Sequence, residues 1–292
     1  MANFGPKEIK KLRELTDAGM MDCKQALAAT DGDMEKAQEW LRKKGLGAAA
    51  KKADKVAAEG TIAIKSDGKK AIMLEINSQT DFVAKNDKFQ AFVKEVIEHA
   101  MANDFNSVEE LNASEINGQP FSEYLALQIA TIGENLVVRR YAKVVTDGSL
   151  GTYVHANGRV GVIVAANKEG AEEALKNIAM HAAAMNPRYI NEESVPSEVI
   201  EKEKEIAREQ LIKEGKPENI LDKILPGKIK RFMQDNTLEN QKFVMDDKLS
   251  VAEYLNSFLK DAKLTDYVRF ELGEGIEKKE EDFAAEVAKQ MA

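Results

Sequence analysis

Hydrophobic residues near the start of the chain recur at helical spacing in three short runs. The runs are Ile9, Leu12 and Leu15, then Ala26 and Leu27, then Met34, Ala37, Trp40 and Leu41. Asp22 can cap the second run, and Gly45 follows the third as a typical C-terminal stop. Residues 1–45 are therefore predicted to form a module of three helices.

A three-helix module of this size resembles the ubiquitin-associated fold, which is a binding unit. A helical cap for the following domain is the alternative interpretation. Residues 46–59 contain only Leu46 and Val56 as large apolar side chains. This composition indicates a solvated linker between the module and the rest of the chain.

The pattern then changes to that of a β-hairpin followed by a helix. Residues 61–64 predict one strand, Asp67-Gly68 is a turn signal, and residues 71–76 predict the return strand. The apolar positions that follow are spaced for a helix from about Lys88 to Ala102.

The same unit occurs a second time. The second copy has a strand that begins with Gly151-Thr152, a glycine-containing turn at Asn157-Gly158 and a return strand at residues 162–164. The sequence His-Ala near the end of the helix also recurs, at 99–100 and 181–182. An internal duplication is therefore predicted. It comprises two related α+β subdomains, residues 60–145 and residues 146–196 plus 235–279.

The first copy is longer than the second. Leu74 and His99 are 25 positions apart, but Val164 and His181 only 17, so the first copy is expected to hold eight more residues in the segment that connects strand and helix. The run T-D-F-V-A-K-N at 80–86 lies in this window. It is either a tolerated surface insertion or a functional element, since an exposed Phe beside a charge suits insertion into a partner's pocket.

The remaining apolar runs complete an α+β fold. The predicted elements are one long helix over 121–141 that contains Gly133, a strand over 143–145, a helical hairpin or antiparallel coiled coil over 197–234, a helix over 250–260, a strand over 267–272 and a C-terminal amphipathic helix over 280–292. The hairpin is inserted into the second subdomain.

Composition narrows the function classes. The 292 residues are 43% hydrophobic and carry a net charge of −8, a balance that argues against broad binding to nucleic acid. Cys23 is the single cysteine, which fits a reducing compartment. The N-terminal residues have no signal-peptide pattern and no run is long enough to span a membrane. A cytoplasmic protein without membrane contact is expected.

Candidate chemistry is sparse. The chain has no Walker A motif, and His99, His155 and His181 show no metal-ligand spacing with each other or with Cys23. Neither a metal nor a cofactor is expected, and the protein is not expected to be an enzyme.

Several separated blocks nevertheless form a specific pattern. They are A-G-M-M-D-C-K-Q-A-L at 18–27, T-D-F-V-A-K-N at 80–86, T-I-G-E-N at 131–135 with Arg139-Arg140, and R-F-E-L-G-E-G-I-E at 269–277. With their order along nearly the whole chain, these blocks resemble the elongation factor Ts family of bacterial translation. Asp17 is a departure, because the family usually shows Gly at that position.

The resemblance implies a guanine-nucleotide exchange factor for the GTPase elongation factor Tu. The segment Thr80, Asp81, Phe82 and Val83 would act as a wedge. Phe82 would enter a pocket between helices of the GTPase domain, and Asp81 would contact groups near the magnesium site. Coordination of the ion would be disturbed and GDP would be released.

The same resemblance implies further partner contacts through Met20, Met21, Ile132, Gly133 and His155. In different members the helical hairpin serves partner contact or dimerisation, so a homodimer through the hairpin or a 2:2 complex stays open. The main alternative is an adapter scaffold with a ubiquitin-associated-like module and no exchange activity. A second alternative, an RNA-binding accessory of translation, is disfavoured by the acidic balance.

Overall fold

The computed structural model describes residues 4–16, 18–155 and 157–277. Their contacts divide the chain into two compact units. The first unit takes its described residues from Met1–Thr61, Leu74–Tyr141 and Glu271–Ala292, and the second from Ile62–Met73 and Ala142–Phe270. Each unit is described by itself.

The first unit begins with the predicted three helices, α1 (Pro6–Thr16), α2 (Met20–Ala29) and α3 (Met34–Lys52). Their buried side chains form a small core of Leu12, Ala18, Cys23, Ala26, Leu27, Ala37 and Leu41. The Asp33 side chain accepts a hydrogen bond from the Lys36 N–H and caps α3. Asp22 is not a cap, because α2 begins directly after Gly19 and so places Asp22 in its first turn.

The predicted stop at Gly45 is wrong. Helix α3 continues to Lys52, so the first half of the predicted linker is helical. The reason is tertiary packing against α7 (Phe121–Ile132), which lies along α3. Gly45 is buried there, and a Cβ added to it would lie 3.1 Å from the side chain of Leu127. Burial of this face offsets the low helix propensity of glycine.

The rest of the first repeat contains the predicted hairpin and helix. The strands are β1 (Glu59–Ser66), β2 (Lys70–Ser78) and β5 (Val137–Val145) in the sheet order β1-β2-β5, with short strands β3 (Glu115–Ile116) and β4 (Gln119–Pro120) paired separately. The helices are α4 (Asp81–Ala84), α5 (Asp87–Ala102) and α6 (Val108–Asn112). Elements α6, β3 and β4 are too short to give a periodic signal.

The long helix predicted over 121–141 is also wrong. Helix α7 ends at Ile132, where Gly133 adopts a left-handed conformation with φ 95°. Strand β5 follows from Val137, so Arg139 and Arg140 lie in a strand. Glycine adopts this conformation without a Cβ penalty, and the β-branched pair Val137-Val138 favours the strand.

The second unit repeats this plan. Strands β6 (Ser149–Val154) and β7 (Val160–Ala166) pair antiparallel, and β10 (Leu264–Glu271) completes the order β10-β7-β6. Helix α8 (Glu172–Met185) packs on β6 and β7. The third strand adjoins the second strand of the hairpin in both copies, and this confirms the predicted duplication and the α+β class.

The second unit also carries the helical hairpin and the short elements that follow it. They are the helical hairpin α9 (Ser197–Lys213) and α10 (Glu218–Asn236), the short strands β8 (Lys242–Phe243) and β9 (Asp246–Ser250), and helix α11 (Val251–Phe258). The hairpin turns at Gly215, which has φ 75°. The predicted hairpin and the helix over 250–260 are confirmed, whereas β8 and β9 were not predicted.

The eight extra residues of the first copy are distributed along it. The connection from strand to helix is 79–86 in the first copy and 167–171 in the second, a difference of three. Strand β2 extends two residues further beyond Leu74 than β7 does beyond Val164. Helix α5 begins three residues further before its histidine than α8 does. The expectation that all eight lie in the connecting segment is therefore wrong.

Two expectations fall outside the described residues. They are the amphipathic helix over 280–292 and the turn at Asp17. Among the helices that the structure does describe, none is long and apolar enough to cross a bilayer.

Candidate partner-binding site

The T-D-F-V segment forms a single helical turn held by caps. Thr80 has extended backbone angles, and its Oγ1 accepts a hydrogen bond from the Val83 N–H at 3.3 Å. Helix α4 ends after Ala84, and the Asn86 side chain then caps α5 by accepting from the Lys88 N–H at 2.9 Å. The side chains of Thr80 and Asn86 therefore have a local structural role as helix caps.

Phe82 is the most exposed of the large hydrophobic side chains that the structure describes, at 82% of its full accessibility. The predicted exposure of Phe82 is thereby confirmed. Val83, the next residue, is half-buried. An aromatic ring left in water on a short, capped turn contributes little to folding, which is typical of a contact residue.

Asp81 lies beside Phe82 and is exposed. The Lys85 ammonium donates to its Oδ2 at 2.8 Å, and this hydrogen bond holds the pKa of the Asp81 carboxyl below its ordinary value. Asp81 is therefore a carboxylate at neutral pH. Exposed ion pairs of this kind are weak, so another cation or donor can replace Lys85.

Glu134 connects this turn to the end of α7. Its Oε2 accepts from the N–H groups of Gln79 and Thr80, both at 3.0 Å, and its Oε1 accepts from the Thr80 hydroxyl at 2.7 Å. Glu134 directly follows Ile132 and Gly133. The structure thus brings two predicted contact segments of the first unit together through a residue that the sequence reasoning missed.

Ile132 is half-buried and Gly133 is exposed. A Cβ added to Gly133 would meet no atom within 4 Å, so glycine is needed there for its positive φ and not for close packing. Asn135 is buried beyond the turn, and its Nδ2 donates to the carbonyls of Lys55 at 2.9 Å and Ala53 at 3.4 Å. The T-I-G-E-N block contains Glu134, but its contacts with Gln79 and Thr80 span 55 and 54 positions, which no local pattern encodes.

Met20 and Met21 occupy the first turn of α2, with 60% and 63% of their surfaces exposed. The adjacent Asp22 accepts from the Lys44 ammonium at 2.6 Å, an exposed contact between the start of α2 and α3. Two adjacent exposed methionines present a flexible apolar surface of the kind found at binding sites.

His155 lies in the second unit, after β6, and is exposed. Its Nδ1 lies 3.1 Å from the Tyr153 hydroxyl. The backbone N–H of His155 donates to the Val160 carbonyl across the turn between β6 and β7.

The Arg139-Arg140 and 269–277 blocks meet at a buried carboxylate. Glu75 is fully buried in β2. Its Oε2 accepts from Arg139 Nη1 at 2.8 Å and from Arg140 Nε, and its Oε1 accepts from the Gly273 N–H at 2.8 Å. Full pairing compensates the burial of this charge, so these blocks have a structural role.

Metal ligands are not clustered in the part of the chain that the structure describes. Within those residues, no group of three or more His, Cys, Asp and Glu side chains is placed to hold an ion. What the candidate residues do offer is an exposed aromatic ring and a carboxylate on α4 and two exposed methionines on α2. Such groups can bind another macromolecule.

Comparison with known proteins gives a consistent assignment. The family model described as Elongation factor TS matches residues 79–274. The chain is 55% identical to Elongation factor Ts of a Nitratiruptor species, with 97% of this chain and 98% of the relative covered. It is 49% identical to the proteins of that name from a Sulfurovum species and from Nautilia profundicola, with 100% of this chain and of each relative covered. The chain therefore belongs to the elongation factor Ts family of translation elongation factors.

Proposed function

We propose that this protein binds the GDP-bound form of elongation factor Tu and accelerates release of GDP during translation elongation. The observation that carries the proposal is the presentation of Phe82. Its ring is 82% exposed on a turn that is capped by Thr80 and tied to Glu134. Because the backbone of the turn is already held in this way, little backbone freedom is lost when the ring enters a pocket.

The proposed mechanism is a wedge. Phe82 enters a pocket between helices of the GTPase domain, and Asp81 exchanges Lys85 for groups near the magnesium site. The ionised Asp81 can do this because its pair with Lys85 is exposed. Disturbed coordination of the magnesium ion then weakens the hold of the phosphate loop on GDP.

Energetically the exchange is negative linkage. If binding of this protein lowers the affinity of the GTPase for GDP by a given ratio, bound GDP lowers the affinity of the GTPase for this protein by the same ratio. No covalent bond is made or broken, so the protein is not an enzyme in the chemical sense. The driving force is differential binding to the two states of the GTPase.

The other proposed contacts use the remaining predicted residues. Met20 and Met21 on α2 would touch the GTPase domain, Ile132 and Gly133 would lie beside the nucleotide site, and His155 would contact another part of the partner. The N-terminal helical module, the two core subdomains, the hairpin 197–234 and the tail 280–292 stay the proposed domains, with the module extended from residue 45 to Lys52 because α3 continues there. A homodimer or a 2:2 complex through the hairpin stays a prediction, as does action in the cytoplasm.

The direct test is GDP release from elongation factor Tu, followed with a fluorescent GDP analogue. The wild-type protein is expected to accelerate release strongly. Phe82→Ala should lower the accelerated rate by about thirtyfold or more, because hot-spot aromatic residues contribute at least about 2 kcal/mol. Its melting temperature should not change, because the ring is exposed.

Phe258→Ala is the matched control. Phe258 is also exposed, at 46%, but lies on α11 outside the proposed contacts. It should leave exchange unchanged. If Phe82→Ala melts normally and exchanges at the wild-type rate, the wedge mechanism is refuted.

The adapter alternative makes the opposite prediction. A scaffold that only binds would associate with elongation factor Tu while GDP release stayed at its intrinsic rate. The geometry of the T-D-F-V turn favours the exchange factor, since an adapter needs no exposed Phe on a separately capped turn.

A further inference from the structure

We infer that Glu134 is the positioning residue of the exchange element and holds the T-D-F-V turn ready before the partner arrives. This inference rests on the proposed exchange function and adds a residue to it. Glu134 itself is half-buried and would act through Thr80, not through contact with the nucleotide site.

The first argument is a relay of hydrogen bonds that ends at the turn carrying Phe82. The Thr80 hydroxyl donates its proton to Glu134 Oε1 at 2.7 Å. A lone pair of the same hydroxyl oxygen is then free to accept from the Val83 N–H at 3.3 Å. The carboxylate therefore orients the hydroxyl that caps α4.

The second argument is the double backbone contact. Glu134 Oε2 accepts from the N–H groups of Gln79 and Thr80, which are consecutive and converge on one oxygen at 3.0 Å each. Convergence of this kind fixes the direction in which the chain leaves β2. Hydrogen bonds to a charged acceptor are also stronger than neutral ones.

The third argument is that Glu134 is itself fixed on both sides. Before it, Gly133 ends α7 in the left-handed conformation. After it, the buried Asn135 donates to the Lys55 carbonyl at 2.9 Å. The carboxylate is thus attached to the body of the unit and not to a loop that moves with α4.

The fourth argument is that α4 needs such support. A helix of four residues has no stability of its own in water. Phe82 and Asp81 are exposed and bury little surface to hold the turn. The geometry of the wedge therefore depends on the cap at Thr80 and on the carboxylate that orients it.

The test compares Glu134→Ala, Glu134→Gln and Glu110→Ala in the full chain. Two quantities are measured, namely hydrogen exchange at the amides of Gln79 and Thr80 and the GDP release rate of elongation factor Tu against factor concentration. Glu110 is the matched control, because its carboxylate also accepts from a backbone N–H, that of Asn106 at 2.7 Å, but lies outside the proposed contacts.

Glu134→Ala removes three hydrogen bonds, so it should lose protection at the two amides and show a plateau rate at least about tenfold lower, since the loss of one good hydrogen bond to a charged group alone has an effect of that size. The half-saturating concentration should change little, because the other contacts remain. Glu134→Gln keeps an acceptor oxygen for the two amides and should lie between Glu134→Ala and wild type. Glu110→Ala should match wild type in both measurements.

Three outcomes would overturn the inference. One is unchanged protection of Gln79 and Thr80 in Glu134→Ala. Another is lost protection with a full plateau rate. The third is an equal loss in Glu110→Ala, which would indicate a general loss of stability. A wild-type protein that does not accelerate GDP release would instead refute the proposed function itself, and amide protection would still show whether Glu134 fixes the turn.

Discussion

At the residue scale, repeated histidines of the two copies are structural. His181 is fully buried in α8; its Nδ1 accepts from the Val244 N–H at 3.1 Å, and its Nε2 lies 2.9 Å from Gln241 Oε1. Because Nδ1 is the acceptor, the proton of the neutral ring is on Nε2. His99 in α5 similarly contacts Ser114 Oγ at 2.8 Å. Each histidine thus joins its helix to a later segment.

The protonation of His181 predicts how stability depends on pH. Burial lowers its pKa below the ordinary 6.5. Between the folded and unfolded pKa values the unfolded chain binds more protons, so stability is complete above about pH 6.5 and falls as pH drops below it. His99 has a pKa lowered by burial too and adds to the same loss.

Chemical denaturation at about pH 7.5 and about pH 5.5, on either side of the ordinary histidine pKa, measures this loss. His181→Gln keeps hydrogen-bonding capacity without titrating, so its stability should fall less between the two pH values than that of wild type. His155→Gln is the control, since its side chain is exposed, and should retain the wild-type loss. Equal losses in all three proteins would contradict the assignment to His181.

At the element scale, two glycines have roles opposite to those predicted. The sequence pattern predicts that Gly45 ends α3, but it is a close-packing position inside that helix, whereas Gly133 is predicted inside a helix but ends α7. Both errors have one cause. A glycine permits either a positive φ or a close approach, and only the neighbouring elements decide which one is used.

Substitutions at Gly45 and Gly47 separate packing from helix propensity. Gly47 lies two residues further along α3, and an added Cβ there meets no atom within 4 Å. Gly47→Leu should stabilise the protein by about 0.5–1 kcal/mol through propensity. Gly45→Leu should destabilise it by about 1–3 kcal/mol through overpacking against Leu127. Thermal melts decide, and a stabilising Gly45→Leu would contradict the α3–α7 packing.

At the scale of the whole molecule, the N-terminal helices are not an independent attachment. Helix α3 lies along α7 within the first unit, and α7 leads into Ile132, Gly133 and Glu134. Removal of residues 1–45 would cut α3 in the middle and uncover α7. Such a deletion therefore tests more than the contact at α2.

A double substitution tests that contact alone. Met20→Ser with Met21→Ser should weaken binding to elongation factor Tu by about tenfold and leave the melting temperature unchanged, because both side chains are exposed. Deletion of residues 1–45 should lower both affinity and melting temperature. Titration calorimetry and thermal melts measure the two effects. Wild-type affinity in the double variant would remove Met20 and Met21 from the proposed interface.

The sequence by itself determined the elements with strong periodicity and their duplication. The hairpins at β1-β2 and β6-β7, the helical hairpin and α5 follow from local turn residues and from apolar spacing, which act over a few positions. It also indicated the T-D-F-V segment as the candidate site, because a Phe beside a charge in a short polar connection suits insertion into a partner's pocket. These features depend on neighbours along the chain, so the chain alone specifies them.

Only the tertiary structure decided where α3 and α7 end and what holds the T-D-F-V turn. Gly45 meets Leu127, and Glu134 meets Thr80, across sequence separations that no local pattern encodes. The hydrogen bonds of Glu134 arise because α7 and β2 end side by side in the fold. Long-range contacts of this kind override local propensity. Here they hold a short polar connection as a capped turn on which Phe82 is exposed.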